Sequence, residues 1–152
     1  DFFVKQSLEE SKFSAIVLNA VNRFYWDGKE DEIAFDRLIR HDCDYIPRNI
    51  QSQKNLCHSF HGFLVREAEP PGQRIDNINF AANQRQDDRT PVDLAFNLRL
   101  LLDQHLDYEA LTRGGPQSMM ATVIARLHES NNRLFANVLS QEFCDRIPGI
   151  QA

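Results

Sequence analysis

The sequence predicts an all-α fold, a single domain over residues 1–152 built as a degenerate array of three to four helical hairpins. Three observations point there. Apolar residues recur at three- and four-residue spacing along most of the chain. A glycine is twice followed 19 residues later by a proline, Gly28 by Pro47 and Gly72 by Pro91. No convincing strand stands out, since the β-branched residues fall at helical periods.

The first helix is expected from Leu8 to Trp26, with Phe13, Ile16, Val17, Ala20, Val21 and Phe24 on its apolar stripe. Ser11 is placed to cap it, and Asp27-Gly28 supplies the left-handed terminus that ends many helices. A second helix runs from Glu30 to about His41. Its acidic first turn suits the positive end of the helix dipole. Ile33, Ala34 and Leu38 face inward with Arg37 beside them, so an aspartate at Ile33 or Leu38 is expected to disrupt the hairpin. Pro47 punctuates. Asn49 then caps a helix carrying Leu56, Phe60, Phe63, Leu64 and Val65, which Glu69-Pro70-Pro71-Gly72 breaks. A more polar helix holds Ile75, Ile78, Phe80 and Ala82. Thr90-Pro91 opens another with Leu94, Phe96, Leu98, Leu101 and Leu102, proline being well suited to the first helical position. A short helix near Tyr108–Leu111 stops at Gly114-Gly115. Pro116 starts a helix with Met119, Met120, Val123, Ile124 and Leu127. Ser130-Asn131-Asn132 turns the chain into a last helix with Leu134, Phe135, Val138, Leu139 and Phe143, before Pro148. That makes seven or eight helices in antiparallel pairs.

Pro47, Pro91, Pro116 and Pro148 close successive units at a mean spacing of about 34 residues, the length of helical-hairpin repeats. Such units come in arrays because one helix pair cannot bury both its faces alone. The first unit, FSAIVLNAVNRFYWDGKEDEIAFDRLIRHDCDYIP, resembles a pentatricopeptide repeat: Gly28, Asp31-Glu32, Ala34 and Pro47 occupy its characteristic places, with Ala34 one position late. The second unit matches at Gly72 and Pro91 without Asp-Glu, and the last has the outline without the glycine. A tetratricopeptide module is disfavoured because its Trp-Leu-Gly-Tyr pattern is missing. The resemblance implies an extended helical groove, in most of the family a reader of single-stranded RNA. A net charge of −5 and the absence of a basic track oppose RNA here. Within the family the chain is similar to short acidic accessory subunits on the F1 head of euglenozoan mitochondrial ATP synthases. That similarity implies a non-catalytic protein held by the F1 α subunit on the matrix side of the inner membrane, with assembly or stability as its role. A small organellar RNA-binding protein is the alternative.

No composition or motif argues for chemistry. Apolar residues at 42% and charged residues at 26% are ordinary globular usage. No apolar run reaches the length of a membrane span, so a soluble protein is expected. Cys43, Cys57 and Cys144 are odd in number and far apart, which speaks for a reducing or matrix compartment over a disulfide framework. The chain begins at Asp1, as a mature form or a trimmed one would. Cys57, His58 and His61, with His41 or Cys43 as a fourth ligand, form the one candidate zinc set. A core role for Cys57 and His61 is expected instead, and no metal or cofactor. Cys43 has acidic neighbours, Asp42 and Asp44, which raise a thiol pKa and so oppose nucleophilic use. Asp27, Glu30, Asp31 and Glu32 read as a solvated helix start, since no calcium-binding loop follows. Nucleophile, phosphate-loop and dinucleotide motifs are absent. Phe2 and Phe3, with Val4, form an apolar tip that packs back on the first hairpin or anchors a partner.

Overall fold

The structure, a computed structural model, describes residues 12–29, 32–52, 56–83 and 88–145. It overturns the all-α expectation. Four long strands form one antiparallel sheet: β1 (Lys12–Trp26), β2 (Cys57–Ala68), β3 (Pro71–Ala82) and β4 (Thr90–Asp107), in the order β1-β4-β3-β2. Two four-residue helices, α1 (Phe35–Leu38) and α2 (Arg48–Gln51), lie between β1 and β2. After β4 come α3 (Tyr108–Thr112), a 3-10 turn (Gly115–Gln117), the long α4 (Met119–Val138) and α5 (Gln141–Cys144).

The segment expected as the first helix is β1, and the reason lies in its two faces. Ile16, Leu18, Ala20, Phe24 and Trp26 point inward, while Val17, Val21 and Tyr25 point outward. A strand that is apolar on both faces writes Ile16, Val17, Ala20 and Val21 into the sequence, the same three- and four-residue spacings that a helix shows. Its aromatic and β-branched side chains favour the pleated form. β4 is similar. Val92, Leu94, Phe96, Leu98 and Leu100 alternate into the core, and outward-facing Leu101 obscures the period.

β2 and β3 form a hairpin turned by Glu69-Pro70, where a helix break was expected. Gly72, read as repeat punctuation, lies inside β3, where a Cβ would run into the Leu101 carbonyl oxygen of the neighbouring strand. Pro91 sits near the start of β4, a strand position that can forgo an N–H. Pro47 precedes α2, and Pro116 lies in the 3-10 turn. The two equal glycine-to-proline spacings therefore join unlike places, and the pentatricopeptide reading falls with them. Pro148, Phe2 and Phe3 lie outside the described residues.

Helix survives in altered form at three expected places, and of the described part of the expected Glu30–His41 helix α1 is what forms. The expected short helix at Tyr108 is α3, capped by Asp107, whose carboxylate accepts from the Ala110 N–H at 2.6 Å. The expected pair around Ser130-Asn131-Asn132 is one unbroken helix, α4, capped by Ser118. Its buried stripe runs through Val123, Leu127, Ser130, Asn131, Leu134, Phe135 and Val138, at helical spacing. The stripe packs on the inner sheet face, with the Phe135 and Phe96 rings 4.6 Å apart in an edge contact. Phe35 of α1 meets Phe80 of β3 at 5.3 Å, and Phe143 of α5 meets Phe24 of β1 at 5.5 Å. A bridge between Ile39 and Leu139 ties the α1 and α5 segments together.

Ile33, Leu38, Phe96 and Leu98 are all buried in this one core. Phe96→Ala or Leu98→Ala should cost about 2–5 kcal/mol, and Ile33→Asp or Leu38→Asp several kcal/mol, read as lowered urea midpoints. Ile124→Ala, on the exposed side of α4, should stay within about 0.5 kcal/mol of the parent.

Candidate functional site

Two of the four strands, β2 and β3, contribute to a polar cluster on the inner face of the sheet, and all four contribute to its outer face. The cluster sits where β2 and β3 run under the middle of α4. Arg74 of β3 donates from Nε to Asp76 at 2.7 Å, and from Nη1 to Glu67 of β2 at 2.6 Å and to Ser130 Oγ at 3.1 Å. Arg126 of α4 bonds the other Glu67 oxygen and the Glu69 carbonyl. Arg74, Glu67 and Asp76 are nearly buried. Charges so far from water persist because they are paired and hydrogen-bonded to each other. Beside them is a cleft of about 470 Å³, lined by Tyr45, Phe63, Arg74, Asp76 and Arg133 among others. Because Arg74 is committed to two carboxylates, the cluster works as a strap between helix and sheet and offers no free acid–base pair.

The residues singled out for metal or thiol chemistry do not converge. His58 and His61 are three apart on a strand, so they point to opposite faces. His58 meets Asn79 Oδ1 at 2.7 Å outside, and His61 meets Ser59 Oγ at 2.7 Å inside. The described residues contain no group of three or more metal-ligating side chains. All three cysteines are free, and burial pushes each thiol pKa up; Asp42 and Asp44 raise Cys43 further. Asp27 pairs with Arg89 and Glu32 with Lys29, while Glu30 and Asp31 lie outside the described residues. Gly28 lies against the Trp26 ring, whose Nε1–H donates to the Lys29 carbonyl at 2.9 Å.

The outer face is the second feature. Its rows follow from the strand register. The middle row is Asn19, Asn97, Asn77 and Gly62, running from β1 to β2. Asn77 donates to Asn97 at 3.4 Å, and Asn97 donates to Asn19, so three amides form one chain across the sheet. On one side lie Val21, Ala95, Asn79 and Phe60; on the other lie Val17, Arg99, Ile75 and Leu64. Val21 is 66% exposed, Phe60 62%, Leu64 68% and Val17 48%. The charges at the ends of the face are internally matched: Arg23 grips Asp93 with two bonds of 2.6 and 2.9 Å, and Arg66 grips Asp103. Every described helix residue of the core packs on the opposite face.

The sequence shows all of these residues, but assigning them to a face requires the strand register. Without it Val17, Val21, Phe60 and Leu64 read as core. No protein-family model, curated protein or solved structure matches the chain.

Arg74→Ala leaves Asp76 and part of Glu67 buried without their cation, and should cost about 3–5 kcal/mol in chemical denaturation. The double change Arg74→Met with Asp76→Leu should cost clearly less. For the thiols the sign follows from their raised pKa values: burial stabilises the neutral form, a contribution complete below the ordinary thiol pKa and lost as pH rises through the raised one. Iodoacetamide at pH 7.5 should therefore leave Cys43 and Cys144 unmodified in the folded chain. Unfolding midpoints should fall at alkaline pH in the wild type, and less so in Cys43→Ala.

Proposed function

We propose that this chain is a non-catalytic protein-binding module that acts through the outer face of its sheet. One observation carries the reading. Val17 and Val21 at one edge of the face and Phe60 and Leu64 at the other hold exposed apolar side chains on either side of an ordered amide row, and no described residue covers them. Large exposed apolar side chains gathered on one sheet face, at its two edges and divided by polar groups, are a feature of recognition surfaces more than of a face left to water. The face mixes apolar anchors with a few placed hydrogen-bonding groups and carries one unmatched charge, which suits a protein surface. No catalytic residue is assigned.

The wider expectation of an accessory, partner-held protein is kept, with a sheet face in place of a repeat groove. The narrower one, attachment to the α subunit of a mitochondrial F1 head, drew its structural content from the helical repeat and is not carried further. RNA readout by repeats goes the same way, and two of the arginines on this face are already held by aspartates. Among the described residues no helix is long and apolar enough to cross a membrane.

A benzophenone amino acid in place of Phe60 should give discrete protein adducts on irradiation in an extract of the native host. The same group in place of Glu109, exposed on α3 and away from the face, should give none. Equal labelling at the two sites, or none at Phe60, would refute the assignment.

A further inference from the structure

We infer that the outer sheet face is a two-fold interface with a second copy of this chain, the row of asparagines lying along the symmetry axis. This rests on reading that face as a protein-binding surface and names its occupant.

The first argument is area. Four strands at about 4.8 Å spacing, paired over some dozen residues at about 3.3 Å each, make a face of roughly 750 Å². Two such faces together bury about 1,500 Å², within the range of stable specific interfaces.

The second is self-complementarity. A two-fold along the middle row keeps each strand over its own copy and exchanges the flanking rows. Val17 then meets Val21 of the second copy, and Leu64 meets Phe60 of the second copy, so the exposed apolar side chains cover one another. The asparagines meet their own equivalents, and a primary amide, being both donor and acceptor, can pair with its copy.

The third is charge. Among the described residues Arg99 is the one cation in the middle three rows, and it has no ion-pair partner. The operation sets it over Ala95 of the second copy. Asp93 of the second copy is two residues further along the same strand and face, about 7 Å away and within an arginine's reach. The contact forms twice by symmetry and leaves no like charges opposed. Sheets packed in this way cross at about −30°, which the strand twist provides.

Sedimentation velocity from about 1 to about 100 µM tests this, with assembly expected at twice the 17.6 kDa chain mass. Val21→Asp and Leu64→Asp should each raise the dissociation constant on the order of 100-fold with unchanged circular dichroism, since each change occurs twice in the interface. Should the aspartates prevent folding, Val21→Thr combined with Leu64→Thr is the substitute and should also weaken the dimer. Arg99→Glu should weaken it at least about tenfold, and Arg113→Glu, outside the face, should not. A chain that stays monomeric, or a dimer indifferent to these changes, overturns the inference. A monomer whose Phe60 adducts contain a different protein overturns the second copy alone. A monomer with no face-specific adduct overturns the binding reading as well.

Discussion

The packing of β4 against α4 is the constraint on which the rest of the structure depends. β4 is the longest strand and lies inside the sheet, bonded to β1 on one side and β3 on the other. Its inward row from Val92 to Leu100 is buried throughout, and Phe96 meets Phe135 of α4 at its centre. Fixing that row decides which residues of β1 and β3 also point inward, because paired positions in a sheet share a face. A slip of one residue would send Phe96 and Leu98 into water and bury Arg99 and Asn97.

The inner face is finished differently along its length. Over β1 and β4 the contact with the helices is apolar, whereas over β3 and β2 it passes to Arg74, Asp76, Glu67 and Arg126. Pairing removes much of the cost of burying these charges, yet an apolar substitute of equal volume could stabilise as well. What the charges add is direction. Arg74 has its nitrogens aimed at Asp76, Glu67 and Ser130, and Arg126 adds a tie to the β2–β3 turn, so α4 can sit in only one register on the strands. The same interaction explains how a helix can carry Ser130 on its buried side.

The outer face obeys another logic. Its ion pairs are satisfied within the sheet and its amides form a continuous chain, so its polar groups are ordered before anything binds. The apolar residues beside them are presented on extended backbone with little freedom left to lose. Preorganisation of that kind lowers the entropic cost of association.

Read alone, the sequence determined the broad composition of the chain, the inward roles of Ile33 and Leu38, a helix beginning near Pro116, and the dispersal of the cysteines. It also held the alternation of β4 in plain view, Leu94, Phe96, Leu98 and Leu100, which outward Leu101 disguised as helical spacing. The tertiary structure decided what local pattern could not: that β1 is a strand, that Ser130-Asn131-Asn132 continues a helix, and that Val17, Val21, Phe60 and Leu64 face away from the core. The physical reason is common to the first and the last. A segment apolar on both faces satisfies the helical and the extended period together, and only strand pairing, whose partners lie as far apart as Asn19 and Asn97, breaks the tie. Ser130 and Asn131 read as a turn until Arg74, 56 residues away from Ser130, supplies a partner that lets the serine stay inside a helix.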